Sequence, residues 1–504
     1  MTSKGDSLMT RRTFNGLVAS GAAATGLGLG MASSKVLETE QITWTSDDPH
    51  LSGNFAPVGP EVDATDLPVI SGRIPPSLSG AYMRNGPNPL FKPITYTYPF
   101  DGDGMIHAVY LDNGRARYRN RFVQTKSLLV ERRAGCAVYG GLARPRPVDP
   151  SLVGDDGHRG PIKNGAFINI IRHGGHLLAL DEASPCYEMS MELETIGLWT
   201  AGAEQPIKLG AHNRRHPKTG ALFALAYSVT KPVVEVRHID AAGKLVRTFP
   251  VTLAAPTMIH DFVLTEHHIV LLAGPAVFDW TAAGAGKPLL QWRPSLGTRI
   301  AVIGLDGGRV RWLETDPFFV FHFANAFERG GNIVIDHVRH EALGFGYAGA
   351  PRQTPTLHRL DIDLAKRMLK DGKVGNASGE FPRINDGFNA LPTRYVFLPT
   401  RTETLRVPNP PSGTFNAILK IDAETGDVAR HDFGNRIVGE AVFIPKGSNG
   451  EDDGYLALFA FDPVNRTSDF IVLDAARVDA NPVAVVRLPQ RVPQGLHGTW
   501  IPKA

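Results

Sequence analysis

The sequence predicts an all-β fold, and a β-propeller is the architecture that fits it best. The 504 residues include 53 glycines and 38 prolines, which is typical of a chain with frequent turns and many short strands. Short apolar stretches rich in β-branched residues recur along most of the chain, and no long stretch repeats with a helical period. A propeller accommodates so many strands because radial repetition leaves only short strand edges exposed.

Turn signals place several of the expected hairpins. Asn113-Gly114 lies between two strand-like stretches and is a strong two-residue turn signal. Further turns are expected at Gly174-Gly175, Asp306–Gly308 and Glu424–Gly426. The apolar stretches at residues 455–461 and 470–474 are expected to pair with each other. Blade identity does not repeat clearly in the sequence, so the spacing alone does not give the number of blades.

Two long irregular segments, residues 132–163 and 279–299, lie between hairpins. They are too long for tight turns, and long loops in compact domains are often functional. We expect them to form a cap of loops and helix over the face of the propeller that carries the functional site. No change in composition marks a second domain, so residues 36–504 are predicted to form a single propeller domain.

The composition argues against several classes of function. The formal net charge is +3, and no Lys- and Arg-rich run follows the N-terminus, so nucleic acid is not predicted as a partner. Cys136 and Cys186 can form at most one disulfide, and two buried thiols fit the sequence at least as well. Beyond the N-terminus, no segment approaches the ~20 apolar residues that a membrane helix needs.

Residues 1–35 have the pattern of a twin-arginine export signal. Arg11 and Arg12 are followed by Phe14 and then by a weakly apolar run, rich in Gly and Ala, from Gly16 to Ala32. This run is too short and too rich in Gly for a good membrane span. We therefore expect export of the folded protein to the periplasm or another extracytoplasmic compartment; a disordered basic tail is the alternative.

Four histidines occur in similar local settings that are far apart in the sequence. They are His212, His260, His322 and His497. His260 and His322 end short apolar runs, where a polar ring needs a partner. Neutral imidazole is the commonest protein ligand for a transition metal. Because the four residues cannot share one helix or loop, they can meet only if the fold brings distant strands to one point, as a closed radial architecture does.

Six motifs, in order along the chain, resemble those of the carotenoid cleavage oxygenases. They are Gly80–Pro89, Phe100–His107, Met258–Phe262, Phe321–Ala326, Gly439–Pro445 and Val492–Trp500. The resemblance extends from about residue 50 to residue 502. The family includes plant and bacterial carotenoid and apocarotenoid dioxygenases, bacterial stilbene dioxygenases and the animal retinoid isomerase.

The resemblance implies a seven-bladed propeller with one Fe(II) on its axis and dioxygen as co-substrate. It implies that the iron ligands are His212, His260, His322 and His497. The His212 segment departs from the family pattern, because the usual His-Pro is His212-Asn213 here and a proline follows only at Pro217. His216 is therefore the alternative ligand, although the distance to the turn at Thr219-Gly220 favours His212.

The resemblance also implies three glutamates that accept hydrogen bonds from the ligand imidazoles. The matching positions are Glu182, Glu380 and Glu440. A carboxylate that accepts the far ring N–H fixes the tautomer and makes the ligand more basic. It also offsets the charge that four neutral histidines leave on the metal. A surface or salt-bridged carboxylate is the alternative for each, and Asp181 is adjacent to Glu182.

The implied function is oxidative cleavage of a conjugated C=C bond of a carotenoid or apocarotenoid to two carbonyl products. We hypothesise a mechanism without an acid–base residue. The protein would supply the metal geometry, a dry apolar tunnel and the placement of one double bond. Because such substrates are lipophilic, peripheral membrane contact is expected by analogy with the family, although no amphipathic helix is evident.

Two alternatives to carotenoid cleavage remain open. Stilbene dioxygenases of the family bind the phenol hydroxyl through a lysine and a tyrosine. The lysine position falls on Ser127, with Lys126 one residue early, and a one-residue shift points a strand side chain to the opposite face. Tyr96 and Tyr98 are candidates for the tyrosine. A non-catalytic propeller that binds iron or a lipophile is the alternative from another class, and the presence of all four histidines argues against it.

Overall fold

The computed structural model describes residues 33–38, for which only the backbone is considered, and residues 41–155, 157–343, 354–447 and 450–503. Most of the predicted export segment, residues 1–32, lies outside the described residues. The first strand begins at Ser33, inside the predicted 1–35 boundary.

The N-terminal part of the chain forms six strands and the longest helix. The strands are β1 (Ser33–Glu38), β2 (Glu61–Thr65), β3 (Val69–Gly72), β4 (Gly80–Arg84), β5 (Met105–Asp112) and β6 (Arg115–Phe122). Helix α1 (Lys126–Ala134) begins where the Thr125 side chain accepts a hydrogen bond from the Leu128 amide. It ends at Gly135, which adopts the left-handed conformation (φ 68°) that favours glycine. Helix α2 (Pro150–Val153) follows in the same connection.

The middle of the chain forms three four-stranded sheets and a two-stranded ribbon. The strands are β7 (Asn169–His173), β8 (His176–Leu180), β9 (Tyr187–Met189), β10 (Thr195–Leu198), β11 (Asn213–Arg215), β12 (Leu222–Tyr227), β13 (Val233–Ile239), β14 (Leu245–Thr252), β15 (Val263–Leu264), β16 (His268–Ala273), β17 (Ala276–Phe278), β18 (Leu290–Trp292), β19 (Thr298–Gly304) and β20 (Gly307–Thr315). Helix α3 (Trp280–Gly284) lies between the two ribbon strands, β17 and β18.

The C-terminal part forms the remaining sheets. Its strands are β21 (Phe319–Arg329), β22 (Asn332–His340), β23 (Thr356–Asp363), β24 (Met368–Ser378), β25 (Tyr395–Thr400), β26 (Ala417–Asp422), β27 (Val428–Asp432), β28 (Ile437–Val438), β29 (Val442–Pro445), β30 (Gly454–Asp462), β31 (Thr467–Asp474), β32 (Ala484–Arg487) and β33 (Gly498–Pro502). Four 3-10 helices, at Pro49–Leu51, Gly53–Phe55, Pro294–Leu296 and Asp386–Phe388, complete the regular elements of the described residues.

Seven of these sheets are the blades of the propeller. Blade 1 has the strand order β1-β2-β6-β5-β4-β33, blade 2 contains β7–β10 and blade 3 contains β11–β14. Blade 4 contains β15, β16, β19 and β20, blade 5 contains β21–β24 and blade 6 contains β25–β27. Blade 7 contains β28–β32 together with β3. The predicted seven-bladed propeller is confirmed.

Strands from the two ends of the chain close the ring. Strand β33 pairs with β4, with Thr499 opposite Met83, so the last strand completes the first blade. Strand β3 pairs with β32, with Val69 opposite Val486, so an early strand completes the last blade. Such exchange removes free sheet edges at the junction between the first and last blades. Buried aromatic side chains fill the space between these two blades, where the rings of Tyr82 and Phe459 lie 5.0 Å apart.

The predicted hairpins are present, with one turn displaced. Asp112 pairs with Arg115 around Asn113-Gly114, His173 pairs with His176, and β26 pairs with β27. In blade 4 Gly304 pairs with Gly307, so the turn consists of Leu305 and Asp306 and the predicted Asp306–Gly308 turn is wrong by about one residue. A register irregularity before Gly304 and positive φ angles at Gly307 and Gly308 account for the displacement.

The two long irregular segments lie against each other. The Leu289 amide donates a hydrogen bond to the Ala143 carbonyl over 2.9 Å, which joins segment 279–299 to segment 132–163. The first segment contains α2 and the second contains α3, so the expected cap has short helices. Cys136 is exposed, Cys186 is buried, and both thiols are free. Among the described residues, no helix combines the length and the apolar character needed to cross a membrane.

Candidate metal centre

Four histidine rings converge at the centre of the propeller. His212 directly precedes β11, His497 directly precedes β33, His260 shortly precedes β15 and His322 lies in β21. These strands belong to four different blades, so the ring closure of the fold brings together residues that are far apart in the chain. The four ligand atoms all lie within 4.8 Å of one another.

The ring nitrogens face each other at distances that suit a shared ion. Nε2 of His212 lies 3.3 Å from Nε2 of His260, and Nε2 of His322 lies 3.1 Å from Nε2 of His497. Nitrogens bound to one metal at about 2.1 Å and at right angles lie about 3 Å apart. The sequence-predicted ligand set is therefore brought together in full, in an arrangement that fits a transition metal.

Burial keeps two of the rings neutral. Burial and the neighbouring imidazoles hold the pKa of His212 well below its usual value. Burial also lowers the pKa of His497 to about 4. A neutral imidazole has a lone pair available for a metal, whereas a protonated one has none.

Three carboxylates back three of the rings. Glu182 lies 2.6 Å from Nδ1 of His260, Glu380 lies 2.5 Å from Nδ1 of His322, and Glu440 lies 2.9 Å from Nδ1 of His497. Since each Nδ1–H donates to a carboxylate, the lone pair of each of these rings is on Nε2, the atom that faces the centre. Several lone pairs directed at one point repel each other unless a cation lies between them, so the donor set fits a metal ion.

Each carboxylate is itself held by further hydrogen bonds. Glu182 accepts one from the Tyr227 hydroxyl over 2.6 Å. Glu380 bonds to Nε2 of His340 over 2.6 Å and accepts from the Phe381 amide over 2.6 Å. Glu440 accepts from the Gly498 amide over 2.8 Å. These contacts fix the carboxylates and, through them, the orientation of the rings.

Neighbouring charges shift the pKa values of three members of these pairs, Glu440, Glu380 and His260. Burial would raise the pKa of Glu440, but Arg383 and His497 outweigh it and lower this pKa to about 2. Burial would likewise raise the pKa of Glu380, but His322 and His340 hold it far below its usual value. Burial would lower the pKa of His260, but the Glu182 carboxylate has the larger effect and raises this pKa. Glu380 and Glu440 are therefore ionised at neutral pH and offset the charge of a bound metal.

The structure shows which of His212 and His216 lies in the histidine cluster. The ring of His212 enters the cluster, with its centroid 4.4 Å from that of His497. His216 is buried elsewhere: its Nε2 bonds to the Glu266 carbonyl over 3.0 Å, and its Nδ1 accepts from the Thr219 amide over 3.2 Å. Asp181, the neighbour of Glu182, accepts from backbone amides such as that of Ser184 and contacts no ring of the cluster.

Aromatic rings pack against the histidines of the centre. Phe321 packs edge-on against His260, with 5.5 Å between centroids, and Phe381 stacks on His322 at 4.9 Å. Phe100 lies 6.5 Å from Phe321 and also lines a cavity beneath the cap. Apolar rings at these places keep water away from the metal position and suit an apolar substrate.

The cavity beneath the cap has a polar end that the sequence did not indicate. Among its lining residues are Phe91, Tyr96, Phe100, Tyr139, Lys163 and Phe167. The Lys163 ammonium lies 2.6 Å from Asp103 and also bonds to Glu131 of α1. Lys163 belongs to an irregular segment, and no motif distinguishes it in the sequence.

The residues considered for phenol binding are found in different places. Ser127 is buried, and its Oγ accepts a hydrogen bond from the Asn164 amide over 3.2 Å. Lys126 is exposed at the start of α1, and because Lys126 and Ser127 lie in this helix, the expectation that the segment is a strand is wrong. Tyr96 lines the cavity, whereas Tyr98 is buried and stacks on His50 with 4.5 Å between centroids. Of the two candidate tyrosines, only Tyr96 is among the residues that line this cavity.

Comparison with known proteins identifies the family. The family model described as retinal pigment epithelial membrane protein matches residues 55–502. A carotenoid cleavage oxygenase from Mycobacterium tuberculosis is 33% identical over 91% of this chain and 98% of its own length. The chain belongs to the carotenoid cleavage oxygenase family. A carotenoid 9,10(9',10')-cleavage dioxygenase from Phaseolus vulgaris is 30% identical over 91% of this chain and 90% of its own length.

Solved structures of this oxygenase family share the whole fold. Pseudomonas brassicacearum lignostilbene dioxygenase has a TM-score of 0.84 at 28% identity, covering 91% of this chain and 99% of its own. A variant of Synechocystis apocarotenoid oxygenase has a TM-score of 0.77 at 28% identity, covering 88% and 96%. The predicted family is confirmed, and the chain is a member of a family of oxygenases.

Proposed function

We propose that this carotenoid cleavage oxygenase is an Fe(II)-dependent dioxygenase that cleaves one conjugated C=C bond of a carotenoid or apocarotenoid. The observation that carries the proposal is the convergence of four imidazoles, three of them backed by buried carboxylates. One alkene and one dioxygen give two carbonyl products, so the atoms and electrons balance without a further reductant.

His212, His260, His322 and His497 would hold one ferrous ion. When bound, a ferrous ion with four protein ligands keeps open positions at which dioxygen is activated. The chain's own residues position and protect that centre. Glu182, Glu380 and Glu440 orient the rings through their Nδ1–H groups, and Phe321 and Phe381 exclude water. No acid–base residue is needed, because an alkene and dioxygen give two carbonyl products without net transfer of a proton.

A polyene is the substrate class that we favour. The relatives from Mycobacterium tuberculosis and Phaseolus vulgaris are named for carotenoid cleavage. In this chain Ser127 occupies the position at which stilbene-cleaving members carry a lysine, and its hydroxyl is already bonded to the Asn164 amide. The exposed Lys126 does not line the cavity.

A stilbene is the second candidate, for two reasons. The cavity beneath the cap has both a tyrosine, Tyr96, and a lysine, Lys163, on its wall. A lysine from a different segment could therefore meet a phenol hydroxyl. The lignostilbene dioxygenase from Pseudomonas brassicacearum also has the higher TM-score of the two structures compared above.

One experiment separates these functions. The protein is purified without oxygen, its iron is quantified, and it is then incubated in air with an apocarotenal and with a hydroxystilbene. We expect one iron per chain and two carbonyl products from the polyene, identified by mass spectrometry. Products from the stilbene alone would move the substrate to phenolic alkenes. Iron without turnover of either would support a non-catalytic propeller.

The His497→Ala variant tests the metal assignment itself. His497 is buried and bonded to Glu440, so its loss removes one ligand and leaves the backing carboxylate without its ring. We expect loss of both iron and turnover. A variant that keeps both would contradict the assignment of the four histidines.

We further propose that the protein is exported through the twin-arginine route to a compartment outside the cytoplasm. The support is the Arg11-Arg12 pair followed by Phe14 and an apolar Gly- and Ala-rich run. A folded protein that already holds its metal is a suitable cargo for this route. Replacing both arginines with lysine should retain the protein in the cytoplasm, as measured by cell fractionation; unchanged export would contradict the proposal.

We also propose that the protein contacts membranes peripherally to take up this lipophilic substrate. A polyene stored in a bilayer has to be extracted from it before it can reach the centre. Cosedimentation with lipid vesicles that contain the polyene tests this contact. A protein that remains in the supernatant with such vesicles would contradict it.

A further inference from the structure

A second cluster of possible ligands lies on one face of blade 5. His337 on β22 and His358 on β23 are direct partners across the two strands. Asp371 on β24 lies on the same side, two residues before Lys373, the partner of His358. The ligand atoms of His337, His358 and Asp371 lie within 4.8 Å of one another. None of these residues belongs to the four-histidine centre.

His337 is a wholly buried histidine without a hydrogen bond. Its relative exposure is 0%, and both of its ring nitrogens lack a hydrogen-bond partner. The Ile335 carbonyl interacts with the ring but does not meet hydrogen-bond geometry. Nε2 lies 3.7 Å from Oδ1 of Asp371, which is longer than a hydrogen bond. Because buried polar groups are rarely left without a partner, this nitrogen indicates a missing ligand.

The other two side chains complete a plausible coordination set. Nδ1 of His358 lies 3.0 Å from Oδ2 of Asp371. Ligand atoms of a tetrahedral zinc ion are about 3.3–3.5 Å apart, because each zinc–ligand bond is about 2.0–2.1 Å long. The 3.7 Å between Nε2 of His337 and Oδ1 of Asp371 is close to this value, and the 3.0 Å from Nδ1 of His358 is to the other oxygen of the same carboxylate. Nε2 of His358 lies 3.1 Å from Oγ1 of Thr356, which can hold the far ring nitrogen of a ligating histidine.

The surroundings favour an ion that is partly shielded from water. The rings of Phe318 and Phe323 lie 5.7 and 6.3 Å from the ring of His337. The side chain of Asp371 is 22% exposed, so solvent reaches the cluster from its side. Arg339 also contacts Asp371 over 3.0 Å, but it shares its charge with Glu341. The carboxylate oxygen that faces His337 remains available to a metal.

We propose that His337, His358 and Asp371 bind one divalent transition metal of the zinc class. Two imidazoles and one carboxylate suit such a metal, whereas magnesium and calcium prefer oxygen ligands alone. Three protein ligands leave one position of a tetrahedral ion open to solvent. The ion joins β22, β23 and β24 of blade 5 and stabilises that blade. This site is independent of the function proposed for the axial centre.

The test counts two metals in one sample. Iron-loaded wild-type protein is dialysed against Zn²⁺, and iron and zinc are both quantified by plasma mass spectrometry. The same is done for His358→Gln and Asp371→Asn, which leave the wholly buried His337 in place. His431→Gln is the matched control, because His431 is a half-buried histidine of blade 6 that bonds only to the Val478 carbonyl in the described contacts.

We expect the wild type and His431→Gln to take up one zinc per chain, not counting any zinc that fills axial sites left without iron. His358→Gln and Asp371→Asn should lose that zinc and keep their iron. Added zinc should also raise the unfolding temperature of the wild type and of the control only. Equal zinc uptake in all four proteins, or none in the wild type, would overturn the proposal.

Discussion

The carboxylate of Glu182 lies 2.6 Å from Nδ1 of His260, so a residue that follows strand β8 of blade 2 orients a candidate ligand that precedes blade 4. The other oxygen of Glu182 accepts a hydrogen bond from the Tyr227 hydroxyl over 2.6 Å. Tyr227, Glu182 and His260 are therefore linked by two consecutive buried hydrogen bonds. The centre therefore depends on contacts between blades as well as on the ligands themselves.

Replacing Glu182 with Gln should weaken iron binding. Glutamine can still accept the ring N–H, but it removes the negative charge that makes His260 more basic. Loss of such a partner commonly costs about 10- to 100-fold in metal affinity. Iron retention against a chelator measures this effect.

Tyr227→Phe is the control for this change. It removes only the hydroxyl that bonds to Glu182 and leaves the carboxylate against the ring. Its loss of iron should be clearly smaller than that of Glu182→Gln. If Glu182→Gln retained iron as firmly as the wild type does, the carboxylate would have no part in holding the metal.

His212 and His216 form a natural pair of test positions. His212→Ala should abolish iron retention, because its Nε2 faces that of His260 at 3.3 Å. His216→Ala should keep the iron and lose stability by about 1–3 kcal/mol, because it removes a buried ring and its hydrogen bonds to the Glu266 carbonyl and the Thr219 amide. Iron content and urea unfolding distinguish the two outcomes. Iron loss in His216→Ala alone would reverse the ligand assignment.

Local signals in the sequence predicted the hairpins well. Asn113-Gly114 and Gly174-Gly175 form the turns that they indicate, because these residues accept the positive φ angles of a tight turn. The turn after Gly304 is displaced because an irregularity in register depends on the facing strand, which a local pattern does not contain. The number of blades came from the family resemblance and not from spacing, since the blades do not repeat in sequence.

Long-range contacts explain what the sequence did not predict. Lys163 is distinguished only by its partners, Asp103 and Glu131, which come from other parts of the chain. The cluster of His337, His358 and Asp371 likewise exists only after β22, β23 and β24 pair in their observed register. No spacing rule identifies such groups before the fold is known.

Tyr96→Phe tests whether the cavity beneath the cap recognises a hydroxyl group. Burial raises the pKa of Tyr96 well above its usual value, so its hydroxyl stays protonated at neutral pH and can bond to a polar substrate end. We expect the KM for a ring-hydroxylated apocarotenal to rise by about tenfold, the value of one hydrogen bond. The KM for the same compound without the hydroxyl is the control and should not change. An equal change for both would mean that Tyr96 acts only on the shape of the cavity.

Asp101 should make stability depend on pH. Its carboxylate is buried and accepts hydrogen bonds from the Thr97 and Leu142 amides, each over 2.8 Å. Burial raises the pKa of Asp101 from 3.8 to about 7. Between these two values the folded chain therefore holds a proton that the unfolded chain has released. Stability should fall as the pH rises through this window, by an amount on the order of 4 kcal/mol when the carboxylate is fully ionised.

Asp101→Asn isolates this contribution, because its side chain is neutral at every pH. The free energy of unfolding of the wild type, relative to that of Asp101→Asn, should decrease from the acid end of the window to neutral pH and then remain level. Urea unfolding at several pH values within the window measures this difference. Asp479→Asn, at an exposed position of the same chain, should show no such trend. A difference between wild type and Asp101→Asn that stays constant with pH would mean that Asp101 is already ionised throughout the window, with its charge carried by the two amides and by nearby Lys163.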